Sequence, residues 1–367
     1  MKDVSYYIGI MSGTSLDGID AVLADLGSAF PSILRTFYLP YTSTLRTGLL
    51  GLSKTGSDEL HRAAMLGNEL AQHYSRAVSG LLDGSGISPQ EVSAVGCHGQ
   101  TVRHCPSMGQ GYTIQLFNPA LLTELTGMTV VADFRSRDIA AGGQGAPLVP
   151  AFHQILFSDP RVHRIIVNIG GISNLTSLAP GGQIAGFDCG PGNILMDAWC
   201  LKHTGQTYDK DGVWAGSGLV IPSLLRELIA LPFFLASPPK SAGREVFNLD
   251  WLKGYLSGDE KPEDVQATLL QLTVQGIAAS VLAYYPNASE IYLCGGGARN
   301  AELVAKLRMA LSAKSVELTD KLGVDADWLE AFAFAWLAKQ AIKKIPASLP
   351  MVTGARGPRI LGAIYPN

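Results

Sequence analysis

The stretch GIMSGTSLDGID, residues 9 to 20, constrains this chain more than any other, because it turns an apolar strand back through glycines and small hydroxyl residues. Tyr6 to Ile10 reads as a buried strand, Ala21 to Leu26 as its partner and Ile33 to Tyr38 as a third, which puts the turn at a hairpin tip. The plan recurs downstream. Ile165 to Ile169 is a strand, Gly170-Gly171 a turn, Leu175 to Leu178 a second strand, and Ile184 to Phe187 a third that ends at Asp188-Cys189-Gly190. A strand, turn and strand at the head of each half implies two related lobes whose turns face each other across a cleft.

Between these heads the pattern alternates. Leu60, Ala64, Leu66, Leu70, Ala71 and Tyr74 have helical spacing within 59 to 84; Val92 to Cys97 is a short strand ending in His98-Gly99-Gln100; Ile114 to Leu116 and Thr129 to Ala132 flank a helix from Pro119. Further helices are expected near 190–203, 220–231, 262–284, 299–313 and 326–343, with strands Glu290 to Cys294 and Ser315 to Leu318 between them. Stretches 205–219 and 235–246 read as loops. The class is α/β. At 367 residues the chain suits two domains. The loop DFRSRDIAAGGQGAPLVP at 133–150 sets the boundary: an N-terminal lobe of 1–140 and a C-terminal lobe of 141–367, whose last helix or tail can pack back on the first.

With 28 Lys+Arg against 31 Asp+Glu the net charge is −3 and no run of like charge stands out, so a small molecule is expected as partner, with no nucleic acid and no membrane. Cys97, Cys105, Cys189, Cys200 and Cys294 form neither CxxC pairs nor a secreted framework, which favours reduced thiols and a cytoplasmic protein. The N-terminus does not read as a signal peptide. Leu269 to Tyr285 is interrupted by Gln271, Thr273, Gln275 and Gly276, short of the roughly 20 apolar residues a bilayer span needs.

Gly9, Gly13 and Gly18, with Ser12, Thr14 and Ser15, make a donor-rich concavity suited to phosphate oxygens; Asp17 and Asp20 fit beside it if Mg²⁺ or its water shell lies between, or else serve as turn formers. Asn168 to Asn174 (NIGGISN) and Cys294 to Asn300 (CGGGARN) are two more strand-to-glycine turns, and three in order favour a nucleotide site. Asp188 in GFDCGPGN is either a strand-end catalytic carboxylate or a helix N-cap. His98 in HGQT is a base, a ligand or a hydrogen-bonded structural residue. Arg135, Arg137 and Asp138 can grip a carboxylate-bearing substrate or form a local ion pair, and Lys240 and Arg244 invite the same two readings. Glu330 faces either a cleft or solvent.

The strings GIMSGTSLDGID, HGQT, DFRSRDIAAGGQGAPLVP, NIGGISN, GFDCGPGN, PPKSAGRE and CGGGARN, in that order, closely resemble the anhydro-N-acetylmuramic acid kinases over essentially the whole chain. The resemblance implies a two-lobed, actin-like ATPase fold of the sugar kinase and Hsp70 superfamily, each lobe a mixed sheet flanked by helices. It implies an enzyme of cell-wall recycling that converts 1,6-anhydro-N-acetylmuramic acid, ATP and water into N-acetylmuramic acid 6-phosphate and ADP. It casts Asp188 as catalytic base. ATP would lie on Gly13, Thr14, Ser15, Leu16, Asp17, Gly18 and Asp20, on Gly170 and Gly171, and on Gly295, Gly296, Gly297 and Asn300. Mg²⁺ would be met by Asp17 through water. His98, Gln100, Thr101, Arg135, Asp138, Asn193 and Glu330 would line the sugar site, with Arg135 toward the lactyl carboxylate. A homodimer is also implied. Cys189 departs from the threonine more usual there. Two rivals stay open: a superfamily kinase that phosphorylates a free hydroxyl, and a non-catalytic ATP-binding sensor.

Overall fold

The computed structural model describes residues 5–13, 15–28, 30–106, 109–243 and 246–367. Thr14 and Arg244 therefore lie outside the described residues. The chain forms two compact units, Met1–Phe152 with Trp328–Asn367, and His153–Asp327.

In the first unit β1 (Tyr6–Ser12), β2 (Gly18–Asp25) and β3 (Ser32–Pro40) form an antiparallel meander; β4 (Val92–Cys105) lies parallel to β1, β5 (Tyr112–Leu116) pairs antiparallel with β4, and β6 (Val130–Ala132) is parallel to β4. The C-terminal strand Ala363–Tyr365 closes the β6 edge. In the second unit β7 (Arg164–Ile169), β8 (Ile172–Leu178) and β9 (Ala185–Pro191) repeat the meander, and β10 (Glu290–Cys294) and β11 (Ser315–Leu318) add parallel strands beyond β7. The orders β6-β4-β1-β2-β3 and β11-β10-β7-β8-β9 are the same plan twice. The repeated head read from the sequence is thus a repeated sheet, and the α/β class holds.

Sequence explains how the first sheet is covered. The Leu329–Ile342 helix is Ala- and Phe-rich and buried nearly all round, as an inner helix must be. Gly9 on β1 and Gly96 on β4 lie directly under it: a Cβ on either would overlap the carbonyl oxygen of Ala331 or Phe334 respectively. Glycine here serves close packing, not a turn. Phe332, Phe334 and Trp336 then fill the unit around Phe152 and Phe134, each burial contributing about 1.5–3 kcal/mol. In the second unit the Pro262–Tyr284 helix, long and apolar enough by length and composition to cross a membrane, has 78% of its apolar window buried, which makes it a core helix.

Three local expectations are corrected. β4 does not end near His98; it runs on to Cys105 because β5 supplies an antiparallel partner for residues 100–105, so HGQT lies inside a strand, with Gly99 at φ +75°. β9 likewise runs past Asp188 to Pro191, held by β8 across a bulge at Ser173/Asn174. Part of 205–219 is helical, in Lys210–Gly212 and Val213–Ser217, because the Asp209 carboxylate accepts from the amides of Trp214 and Ala215 at 2.9 and 2.8 Å.

Candidate functional site

The first glycine turn leaves β1 at Ser12 and re-enters the sheet at Gly18. Leu16 adopts φ +57° and is buried, so it anchors the turn and can meet a ligand only through its backbone. Asp17 folds back on the turn, its Oδ1 accepting from the Ser15 hydroxyl at 2.7 Å and the Gly18 amide at 2.9 Å. Asp20 lies on β2, opposite Met11 and Tyr38.

Polar groups support this turn from the sheet. Gln100, fully buried, donates from Nε2 to the Gly13 carbonyl at 3.0 Å, and its Oε1 accepts from the Tyr41 hydroxyl at 3.3 Å. Ser12 and Tyr74 share a hydroxyl bond of 2.7 Å. Burial raises the pKa of both tyrosines, so they stay neutral hydrogen-bonding groups. The Gln100 amide thus meets the first glycine turn, while Thr101 is engaged by Gln115 through its Oγ1 at 3.1 Å.

Next to Gln100 on β4, the buried His98 ring accepts on Nε2 from Arg135 Nε at 3.0 Å and Nη2 at 2.9 Å. Burial first, and the Arg135 charge second, push His98 well below the ordinary histidine range, so a neutral imidazole aims a guanidinium. Arg135 Nη1 also donates to the Gly145 carbonyl at 2.7 Å. The Gly145 amide in turn donates to Asp138 Oδ2 at 2.8 Å, and the Thr353 hydroxyl to Oδ1 at 2.8 Å. Asp138 is fully buried, and both its oxygens fold the 138–145 loop onto the Thr353 segment. Arg137 is exposed, and Glu330 sits half-buried in the first turn of the Leu329–Ile342 helix.

In the second unit the glycine turns of β7 and β10 meet. Asn193 N–H donates to the Gly170 carbonyl at 2.8 Å and its side chain to the Ile169 carbonyl at 3.2 Å. A Cβ on Gly297 would sit 3.0 Å from Asn193 Oδ1 and overlap Ile169, so this turn leaves no room for a side chain. Gly296 differs: no atom lies within 4 Å of where its Cβ would be, and it is exposed. Asn300 caps the Ala301–Ala310 helix, its Oδ1 accepting from Leu303 N–H at 3.0 Å. Asn193 therefore belongs with the second and third turns.

Asp188 lies within β9. It is not an N-cap, since the following helix, Ile194–Thr204, takes Asn193 in that position. Strand register aligns Asn168, Asn174 and Asp188 across β7, β8 and β9. Asp188 Oδ2 accepts from Ala242 N–H at 2.9 Å, and its own N–H donates to the Lys240 carbonyl at 3.1 Å. The Cys189 thiol is driven up to about 12 by burial and has the Ser280 hydroxyl as a hydrogen-bond partner, so it is a neutral neighbour of the carboxylate. Lys240 turns its ammonium to the carbonyls of Phe233 and Phe234.

Sequence reasoning missed Ala242, Tyr41 and Tyr74 as parts of these groups. Asn174 closes NIGGISN, and its Oδ1 is buried without a hydrogen-bond partner among the described residues.

Two sheets of one plan, each sending a glycine turn off its first strand, with a carboxylate seated in the second sheet, define a duplicated α/β fold. The chain belongs to the anhydro-N-acetylmuramic acid kinase family, whose profile matches residues 5–367. The protein of that name from Nitrosospira multiformis is 66% identical over 99% of this chain and 99% of its own. The one from Nitrosomonas europaea is 63% identical over 98% and 99%. Among solved structures, the (R)-2-hydroxyglutaryl-CoA dehydratase component A of Acidaminococcus fermentans is 11% identical, covering 90% of this chain and 96% of that one with a TM-score of 0.49.

Proposed function

We infer that this chain opens the 1,6-anhydro ring of 1,6-anhydro-N-acetylmuramic acid with water and phosphorylates O6 from ATP, giving N-acetylmuramic acid 6-phosphate and ADP in cell-wall recycling. The observation that carries this reading is Asp188: a carboxylate fixed in mid-strand by a backbone N–H, in a chain that matches the family from residue 5 to residue 367.

Hydrolysis of a glycosidic bond by inversion ordinarily needs a base for water and an acid for the leaving oxygen. Here the leaving oxygen is O6, and transfer of the γ-phosphoryl group to it replaces protonation. Asp188 takes a proton from water as the oxygen attacks C1; the C1–O6 bond breaks, O6 bonds to phosphorus, and ADP departs. One positioned base is then sufficient. Attack opposite the O6 bridge gives the α anomer first.

The three glycine turns are assigned to ATP: Gly13 to Gly18 and Gly170-Gly171 toward the phosphates, Gly295 to Gly297 toward the adenosine. Gln100 supports the first of these from below, and Asn193 the second. Arg135, aimed by His98, is assigned to the lactyl carboxylate, with Thr101 and Glu330 also toward the sugar and Asp138 folding the loop whose Gly145 carbonyl accepts from Arg135. Mg²⁺ supplies charge neutralisation on the phosphates. Its fit is that of an ion held chiefly by phosphate oxygens: Asp17 is exposed beside the turn, and among the described residues no three His, Cys, Asp or Glu side chains converge to cage a metal. Asp17 would be the residue to hold it, through water. The reading also includes a cytoplasmic homodimer, which light scattering on the purified chain would test.

The decisive assay supplies Mg-ATP and the anhydro sugar in ¹⁸O-labelled water. Stoichiometric ADP, a 6-phosphate and one ¹⁸O at C1 are expected. Turnover of N-acetylmuramic acid with the anhydro sugar ignored would make it an ordinary sugar kinase, and ATP binding without turnover a sensor.

A further inference from the structure

We propose that Lys240 is a positioning residue that clamps the backbone donor of Asp188; this rests on the reading of Asp188 as the base. Residues 240–242 run beside Asp188. The Lys240 carbonyl accepts from Asp188 N–H at 3.1 Å, and Ala242 N–H reaches Asp188 Oδ2 at 2.9 Å. The segment lies in a stretch without regular secondary structure.

The Lys240 side chain supplies the anchor. Its ammonium donates to the carbonyls of Phe233 and Phe234 at 3.1 and 3.4 Å, at the short Pro232–Leu235 helix. It also sits over the rings of Phe233 and Phe187, 4.8 and 5.9 Å from their centroids. Phe187 is the neighbour of Asp188 on β9. Phe234 packs on the far side, where a Cβ on Gly190 would lie 2.7 Å from its ring. One cation therefore ties together the strand before Asp188, the helix whose Phe234 packs after it, and the segment that donates to its carboxylate. An N–H on one oxygen fixes the orientation of the carboxylate, which is what a base for a single water requires.

The test compares Lys240→Met, which keeps the stem and deletes the charge, with Lys240→Arg and Asp188→Asn in the full enzyme, measuring kcat and both KM values. A positioned base contributes 10²- to 10⁴-fold, so Lys240→Met is expected to lower kcat by about tenfold or more, with each KM within about twofold. Lys240→Arg should recover most of it, since a guanidinium can donate to the same carbonyls. Ala242→Pro, which removes the N–H itself, should reproduce the kcat loss. If Lys240→Met does not fold, Lys240→Gln is read in its place. Wild-type kcat in the uncharged variant, or a loss confined to KM, overturns the clamp while leaving an inactive Asp188→Asn, and with it the base, intact. Full activity of Asp188→Asn would instead overturn the base reading itself.

Discussion

His98 accepts both the Nε and Nη2 protons of Arg135 on a single ring nitrogen, at 3.0 and 2.9 Å. The imidazole must be neutral at that atom, so it adds no charge of its own and leaves Arg135 cationic toward an anion. If Arg135 grips the lactyl carboxylate, Arg135→Leu removes that charged hydrogen bond. The expected result is a rise in KM for the anhydro sugar of about 10- to 100-fold, from about 1.5–3 kcal/mol for a charged hydrogen bond, with KM for ATP little changed. An anhydro sugar without the lactyl acid should be handled almost equally by wild type and variant. An equal penalty on both sugars would remove Arg135 from the carboxylate.

Gln100 separates two roles that the HGQT string merged. Its amide meets the Gly13 carbonyl, so Gln100→Leu is expected to raise KM for ATP by about tenfold, the cost of one unmet buried polar group, and to alter KM for the sugar by less than about twofold. Steady-state titration of each substrate at saturating levels of the other distinguishes them. The reverse pattern would return Gln100 to the sugar.

Gly296 and Gly297 give a paired test of the third turn. Gly297→Ala must displace Ile169 and should cost about 1–3 kcal/mol or more of stability, seen in urea melts. Gly296→Ala meets no protein atom within 4 Å and should melt like wild type, yet raise KM for ATP if the nucleotide rests on that turn. Unchanged ATP affinity in Gly296→Ala would move the adenosine elsewhere.

His153 links stability to acid. It is buried against Thr176, and burial lowers it to about 3. Its folded pKa lies below the unfolded value near 6.5, so on acidification the unfolded chain takes up the proton first and stability falls. The loss begins below about pH 6.5 and grows by about 1.4 kcal/mol per pH unit until the folded pKa is reached. Between about pH 7 and pH 5, His153→Gln should therefore lose less unfolding free energy than wild type. Parallel pH profiles for the two proteins would contradict this.

What the sequence disclosed follows from which physical signals are local. The meander around GIMSGTSLDGID and its copy at NIGGISN were legible because apolar runs broken by glycines have few other readings, and the Pro262–Tyr284 helix because its breadth of apolar residues starts at a proline. The second half of β4 was not, since its residues 98–105 are largely polar and become a strand only through β5. The candidate turns and Asp188 stood out by residue type. Their supports did not: the Ala242 donor is a backbone group 54 residues from Asp188, and Gln100 reaches Gly13 across 87 residues. Backbone donors carry no side-chain signature, and contacts at such separation are set by strand pairing, not by spacing.

The most direct test of the central claim is ADP release from Mg-ATP and 1,6-anhydro-N-acetylmuramic acid by wild type and Asp188→Asn, with the product followed by NMR. The change is nearly isosteric and keeps an acceptor for Ala242 N–H while removing the base. Rapid wild-type turnover is expected, with the α anomer of the 6-phosphate appearing first, and a loss of about 10²-fold or more in kcat in the variant, which still folds and binds ATP. Equal turnover by the two proteins, or a β anomer formed first, would contradict that claim.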